Sequence, residues 1–110
     1  MKINSMRKLV ELIKERPHLF FETKNDSIYL YINYFNGFFL ALQLSKQQDL
    51  ERQISKWYQE RVVFKAPNMN WTSQFLLINK HKTDKEQIGL FLGTLIEYFE
   101  DNPVTGLNFE

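Results

Sequence analysis

The fold class of this chain depends on one stretch of sequence, Ile28-Tyr29-Leu30-Tyr31-Ile32-Asn33-Tyr34-Phe35-Asn36-Gly37-Phe38-Phe39-Leu40-Ala41-Leu42. Asn36-Gly37 stands between two runs of β-branched and aromatic residues, which is a strong short signal for a β-hairpin. Asp26 and Ser27 can instead cap a helix, in which one apolar stripe recurs at helical spacing: Ile28, Tyr31, Ile32, Phe35, Phe38, Phe39 and Leu42. Since a glycine inside a helix costs only about 1 kcal/mol, periodicity leaves both structures open over residues 28–44.

The segment before this stretch has a clearer pattern. Apolar residues recur at helical spacing through Ile3, Met6, Leu9, Val10 and Ile13. Asn4 or Ser5 can cap this first helix, which we expect to run to Arg16 because a proline follows. Residues 17–25 are predicted to form an extended connection that carries Leu19, Phe20 and Phe21 inward.

Three amphipathic segments follow the central stretch. Residues 49–62 place Leu50, Ile54, Trp57, Tyr58 and Val62 on one face, and residues 65–70 then contain turn formers. Residues 71–78 predict a helix capped by Asn70, with a short buried strand over 75–78 as the alternative. Thr83-Asp84-Lys85-Glu86 is a capping box, which opens a last helix that stops near residues 101–103.

Length and composition predict one domain over residues 1–110, with a core over about 5–101 and a loose tail over 102–110. The chain has 110 residues, of which 44% are hydrophobic and 15% aromatic. This is enough apolar side chain for one core, and the sequence lacks the polar bias of a disordered chain. Cysteine is absent, which excludes disulfides, thiolate nucleophiles and cysteine-ligated metals.

The N-terminus and the charge bear on location and partners. No apolar run and no cleavage site follow Met1, so we expect a cytoplasmic protein. The most apolar stretch, 28–44, is interrupted by Asn33, Asn36, Gly37 and Gln43, which argues against a membrane span. The net charge of +1 argues against direct binding to nucleic acid, which favours a strongly basic face.

No pattern in the sequence indicates catalysis, a metal or a cofactor. His18 and His81 are far apart in sequence and neither has metal-binding spacing. The serines lie at caps or on helix surfaces, and none stands in a Gly-x-Ser-x-Gly nucleophile elbow. The four glycines form no loop that could hold a phosphate. We therefore expect neither an enzyme nor a cofactor protein, and predict function through binding to another protein.

The best candidate for a binding surface is the acidic last helix. Residues 84–110 contain six acidic residues and one lysine, a net charge of −5, so the remainder of the chain carries +6. Glu97, Glu100 and Asp101 are spaced three and four apart on one side of the helix, opposite its apolar stripe. Acidic surfaces attract basic partners and raise association rates. Solvated helix positions without a partner are the competing interpretation.

Aromatic residues could add contact area to this surface. Trp57 and Trp71 fit apolar helix faces, so we expect both in the core. Tyr29, Tyr31 and Tyr34 crowd into one element, so at least one should be exposed. The predicted partner-binding residues are Glu97, Glu100, Asp101, Tyr98 and Tyr34.

The order of these features resembles that of small bacterial immunity proteins, the antitoxins of polymorphic and contact-dependent growth inhibition toxins. The resemblance covers about residues 6–101 and rests on the first helix with Arg16-Pro17-His18-Leu19-Phe20, on Ser27-Ile28-Tyr29-Leu30 with Asn36-Gly37-Phe38 and Ala41, on Trp57, on Asn70-Trp71 and on the acidic last helix.

This resemblance implies a fold and a function. In that group Asn36-Gly37 would lie inside a helix, which favours an all-α, single-domain bundle of about five helices over an α+β fold with a hairpin at 28–44. It implies a monomer that binds a cognate toxin domain in a 1:1 complex and occludes its active site. Such toxins are often nucleases with basic clefts, which the acidic last helix would suit. The alternative is a helical adaptor or regulatory module, dimeric through Gly89 and Gly93.

Overall fold

Helices make up most of the chain. The computed structural model describes residues 3–21, 27–46, 48–62 and 68–109. These residues form, in order, β1 (Ile3–Ser5), α1 (Met6–Glu15), a 3-10 helix (Pro17–Leu19), α2 (Ile28–Lys46), α3 (Leu50–Arg61), α4 (Trp71–Ile78), α5 (Asp84–Asp101) and β2 (Thr105–Phe109). The prediction of an all-α fold with about five helices is confirmed for the described part of the chain, and the hairpin alternative is wrong.

The helix α2 runs through Asn36-Gly37 without a break. Ser27 Oγ accepts a hydrogen bond from the Tyr29 N–H at 3.2 Å, as expected for a capping residue. Most of the predicted stripe is buried: Ile28, Tyr31, Ile32, Phe35, Phe39 and Leu42. Asn36 and Gly37 are exposed, so the glycine interrupts no packing. Burial of a helical stripe therefore outweighs the local turn preference of Asn-Gly.

Side-chain caps set the starts of three helices. Ser5 accepts from the Lys8 N–H at 3.2 Å, Asp49 from the Arg52 N–H at 3.2 Å and Asn70 from the Ser73 N–H at 2.9 Å. Each oxygen satisfies one of the N–H groups that lack a partner in the first turn. Helices α1 and α4 start directly after the predicted caps Ser5 and Asn70, α3 starts directly after Asp49, and residues 75–78 are helical and not a strand.

The connection after α1 differs from its prediction. Pro17–Leu19 form a 3-10 helix because the Leu19 N–H and the Phe20 N–H bond back to the carbonyls of Arg16 and Pro17. Leu19 is 53% exposed, so the expectation that it points inward is wrong, whereas Phe20 and Phe21 are partly buried. The remainder of the predicted connection, 22–25, lies outside the described residues.

The tail is also structured, which the sequence did not indicate. β2 pairs antiparallel with β1, with Ile3 opposite Phe109 and Ser5 opposite Thr105. The Met6 N–H donates to the Val104 carbonyl at 3.1 Å. A strand this short shows no alternation of its own, and its partner lies at the opposite end of the chain. The prediction of a loose tail over 102–110 is thus wrong for the strand.

The chain separates into two compact units. Unit 1 contains the described residues of 1–26 and 85–110, and unit 2 those of 27–84. The prediction of a single domain over 1–110 stays a prediction. The buried apolar residues of unit 1 are Met6, Leu9, Val10, Ile13, Phe91, Leu92, Leu95, Tyr98 and Phe99. In unit 2 they are those of the α2 stripe with Leu50, Ile54, Tyr58, Trp71 and Phe75.

Trp71 lies at the centre of the core of unit 2. It is fully buried, as expected, and its ring meets Tyr58 and Phe75 edge-on at centroid distances of 5.8 and 6.3 Å. Its backbone N–H donates to Ser55 Oγ at 3.0 Å, which joins α4 to α3. Trp57, also predicted to be core, is only partly buried, with the Arg61 guanidinium 4.4 Å from its ring centroid. Within the described ranges, no helix is both long and apolar enough to cross a membrane.

Replacing Gly37 with alanine tests the helical state of α2. Alanine is more stable than glycine inside a helix by about 0.5–1 kcal/mol, and a Cβ added at Gly37 meets no atom within 4 Å. We expect the free energy of unfolding in urea to rise by about this amount. In a two-residue hairpin turn the glycine would have a positive φ, so the same change would lower it, which would contradict the helix.

Ending the chain after Pro103 tests the structural role of β2. The truncation removes the strand and the Val104 carbonyl that accepts from the buried Met6 N–H. A buried N–H without an acceptor costs about 1–3 kcal/mol, so we expect the free energy of unfolding to fall by at least that amount. Removal of Glu110 alone leaves β2 complete and serves as the control. Equal stability of the two chains would show that the strand contributes nothing.

Candidate functional site

The three predicted carboxylates lie on the surface at the end of α5. Glu97, Glu100 and Asp101 are all exposed, as their position opposite the apolar stripe requires. Glu100 also forms an ion pair that the sequence did not reveal, since its Oε1 lies 3.0 Å from Arg7 Nη2 on α1. Arg7 Nε lies 2.8 Å from Glu11 Oε1 as well. The positive charge of Arg7 therefore offsets part of the negative potential of this acidic end.

Tyr98 does not belong to this surface. Its side chain is only 4% exposed, and its ring meets that of Phe99 at a centroid distance of 5.0 Å. Burial raises the pKa of the Tyr98 phenol above its ordinary value. The prediction that Tyr98 contributes contact area is wrong, because Tyr98 lies three residues after Leu95 and seven after Phe91, on the buried stripe. That spacing was the signal that could have placed it in the core.

Tyr34 belongs to unit 2 and is partly buried. Its ring stacks on Phe38 with a centroid distance of 6.3 Å and meets Phe35 edge-on at 5.3 Å. Burial raises the pKa of Tyr34 as well. Among the five predicted residues the structure thus brings together only the three carboxylates, on one helix of unit 1.

A second exposed surface, which the sequence analysis missed, lies on α2. Tyr29, Leu40 and Leu44 are 59%, 56% and 78% exposed. Asn33 and Gly37 are exposed between them, at the same helical spacing. We call these five residues the outer face of α2. Tyr29 also confirms the expectation that at least one tyrosine of this segment is exposed.

The outer face of α2 is uncharged. Residues 27–45 are a run of 19 residues without a lysine, arginine, aspartate or glutamate. In a chain with 14 basic and 13 acidic residues, an exposed helix side without charge is unusual, since such sides normally carry charged residues that favour solvation. This uncharged run is the signal in the sequence that could have indicated the outer face.

A groove of about 360 Å³ lies beside this face, entirely within unit 2. Its wall on α2 contains Asn36, Leu40 and Gln43, and Phe39 contributes from the buried side. The other residues come from the starts of the next two helices: Asp49, Glu51 and Asn70. Apolar, amide and carboxylate groups therefore meet in one surface depression, which we call the α2–α3 groove.

Each of the two carboxylates of the groove accepts one local hydrogen bond. Asp49 Oδ1 caps α3 through the Arg52 N–H at 3.2 Å, and Glu51 Oε1 accepts from Ser55 Oγ at 3.3 Å. Ser55 Oγ in turn accepts a hydrogen bond from the backbone N–H of Trp71. Each of these bonds uses one carboxylate oxygen, so each carboxylate has a second oxygen with which to accept a bond.

The histidines lie outside both surfaces. His18 is exposed in the 3-10 helix of unit 1, and His81 is exposed in the turn after α4 in unit 2, with Lys82 Nζ 3.5 Å from its Nε2. In the part of the chain that the structure describes, no group of three or more histidine, aspartate or glutamate residues could hold a metal ion. The groups on both surfaces can form ion pairs, hydrogen bonds and apolar contacts.

Comparison with known proteins adds no relative. No family model matches the chain, and neither a curated protein nor a solved structure does.

Replacing Tyr98 with phenylalanine tests whether this residue is core or contact surface. Because burial raises its pKa in the folded state, the contribution of Tyr98 to stability is complete below about pH 10 and is lost as the pH rises through the folded value. We expect urea unfolding from about pH 8 to about pH 11 to show a smaller alkaline loss of stability in Tyr98→Phe than in the unchanged chain.

The control for this measurement is Tyr29→Phe, which removes one phenol from the surface. If Tyr98→Phe and the unchanged chain lose the same amount of stability between about pH 8 and about pH 11, the Tyr98 ring is solvated and not part of the core.

Proposed function

We propose that this chain is a bacterial immunity protein, which binds the toxin domain of its own cell and neutralises it. The observation that carries the proposal is the exposed and uncharged outer face of α2. The centres of protein interfaces are depleted in charged residues and enriched in aromatic ones; Tyr29, Leu40 and Leu44 are uncharged and exposed, and Tyr29 is aromatic. Leu40 and Leu44, one helical turn apart, expose apolar side chains that a partner could cover.

The acidic end of α5 supports the same proposal through electrostatics. Residues 84–110 carry a net charge of −5, and Glu97 and Asp101 are exposed there. A nuclease toxin presents a basic cleft to its substrate, so an inhibitor with an acidic surface would be attracted to that cleft. In this scheme the carboxylates accelerate association, and the outer face of α2 slows dissociation through apolar contact.

The proposed mode of action is occlusion by a monomer in a 1:1 complex. The inhibitor binds the toxin domain in the cytoplasm and keeps nucleic acid from its active site. It uses no cofactor and performs no reaction itself. Its specificity for one toxin would come from side chains around an apolar contact, as in other protein pairs that must reject close relatives.

One observation favours the alternative of a homodimeric adaptor. A Cβ added at Gly89 or Gly93, four residues apart on α5, meets no atom within 4 Å, so a second helix could approach there. The molecular mass in solution at low and high salt distinguishes the two functions, since the adaptor is a stable dimer alone and the immunity protein a monomer until its toxin is present.

Coexpression with the toxin domain encoded beside the gene tests the proposal. We expect the unchanged chain to restore growth and to purify with the toxin. Leu44→Glu should weaken binding by at least about tenfold, because Leu44 is 78% exposed on the outer face of α2 and the change places a charge in the apolar contact. Leu90→Glu is the matched control, since Leu90 is 44% exposed on α5 in unit 1.

Circular dichroism shows whether both variants keep the helical fold. Failure of the unchanged chain to restore growth would reject the immunity function. Equal binding by the two glutamate variants would reject the outer face of α2 as the contact.

A further inference from the structure

We propose that the α2–α3 groove is an anchor site that binds an arginine side chain of the protein partner. Apolar residues on either side of that arginine in the partner cover Leu40 and Leu44. The inference rests on the proposed function only in assigning this arginine to the toxin. It extends that function because it names the chemistry of the partner's contact segment.

The charge of the groove selects the occupant. Asp49 and Glu51 are both acidic, and no other described residue that lines the groove is charged. A cationic side chain that enters between them gains from both carboxylates, whereas an acidic one is repelled by both. The groove therefore complements a basic residue, as expected for contact with a basic toxin.

The hydrogen-bonding groups favour arginine over lysine. Asp49 and Glu51 each hold one oxygen in a local bond and have a second oxygen able to accept. The side-chain amides of Asn36 and Gln43 offer further acceptors on the opposite wall. A guanidinium has five donors in one plane and can serve several acceptors together, whereas an ammonium group acts as a point charge.

The stability of α3 alone does not explain why two carboxylates and an exposed leucine line the same groove. An acidic cap and an acidic residue in the first turn favour a helix by themselves, which explains why Asp49 and Glu51 are carboxylates. It does not explain an exposed leucine at the rim of the same depression. Leu40 belongs both to the groove and to the outer face of α2, so the charged and apolar contacts are continuous.

A second groove along α3 offers no comparable selection. It has a volume of about 400 Å³ and is lined by Arg52, Lys56 and Glu60 with Ser55, Gln59 and Met69. Charges of both signs meet there, so neither an acidic nor a basic side chain is clearly favoured. Glu60 nevertheless provides a useful control, because it is an exposed glutamate of the same helix outside the α2–α3 groove.

Selection from a library of random peptides of about 12 residues, displayed on phage, tests the proposal with the folded full chain as bait. We expect enriched peptides to contain arginine flanked by leucine or aromatic residues. A synthetic peptide of the enriched sequence should lose at least about tenfold in affinity when glutamine replaces its arginine. The same loss is expected when the double variant Asp49→Asn/Glu51→Gln binds the unchanged peptide.

The double variant is chosen to keep the fold. Asparagine caps a helix as well as aspartate does, and glutamine retains an acceptor for Ser55. Glu60→Gln removes one charge from the same helix and should leave the affinity unchanged. If a peptide with lysine in place of its arginine binds with equal affinity, the groove recognises only a positive charge, and the preference for arginine is overturned.

Three results overturn the anchor site: no enriched peptide, enriched peptides without basic residues, or equal affinity of the double variant and the unchanged chain. Peptide binding as expected without neutralisation of a toxin would reject the immunity function and keep the anchor. Neutralisation that persists in the double variant without loss of affinity would keep the function and reject the anchor.

Discussion

The helical period of α2 is the constraint on which the rest of unit 2 depends. One turn of helix places every third or fourth side chain on the same side, so burying Tyr31, Phe35 and Phe39 fixes what the opposite side presents. That side contains Leu40 and Leu44, which stay exposed because the opposite side of the helix is the one that packs against the core. A hairpin over the same residues would have alternated inward and outward side chains at period two and would have produced a different surface.

The same constraint links the core to the α2–α3 groove. Phe39 is buried and the next residue, Leu40, is exposed, yet both line the groove. Ser55 connects the groove to the core as well, because it accepts from the Trp71 N–H and donates to Glu51. The Glu51 carboxylate is therefore linked through Ser55 to the backbone of the buried Trp71. Preorganised side chains of this kind lose little entropy when a partner binds.

Local signals in the sequence were sufficient for helices but not for pairings between distant segments. The caps Ser5, Asp49 and Asn70 act within three residues of themselves, so their effect can be predicted from neighbours alone. The pairing of β1 with β2 depends on two segments about a hundred residues apart, and neither shows a strand pattern. The Asn36-Gly37 ambiguity had the same origin, because tertiary burial and not local propensity decided it.

The candidate site was predictable to a similar degree. Exposure of Glu97, Glu100 and Asp101 followed from the apolar stripe of α5, whereas the ion pair of Glu100 with Arg7 required knowledge of how α1 and α5 meet within unit 1. Tyr98 was misplaced although its spacing from Leu95 indicated the core. The outer face of α2 was not predicted because apolar residues occur on both sides of this helix, so periodicity alone does not show which of them are exposed.

Because the chain contains no cysteine, single cysteines can report directly on the proposed contact. The decisive measurement is the rate of maleimide labelling of Leu44→Cys and Leu90→Cys, each alone and in complex with the toxin domain that the chain neutralises. Leu44 is 78% exposed and Leu90 44%, so both react in the free protein. The expected result is that the toxin slows labelling at position 44 by at least about tenfold and leaves position 90 unchanged. Equal labelling at position 44 with and without the toxin would contradict the assignment of the outer face of α2 as the binding surface.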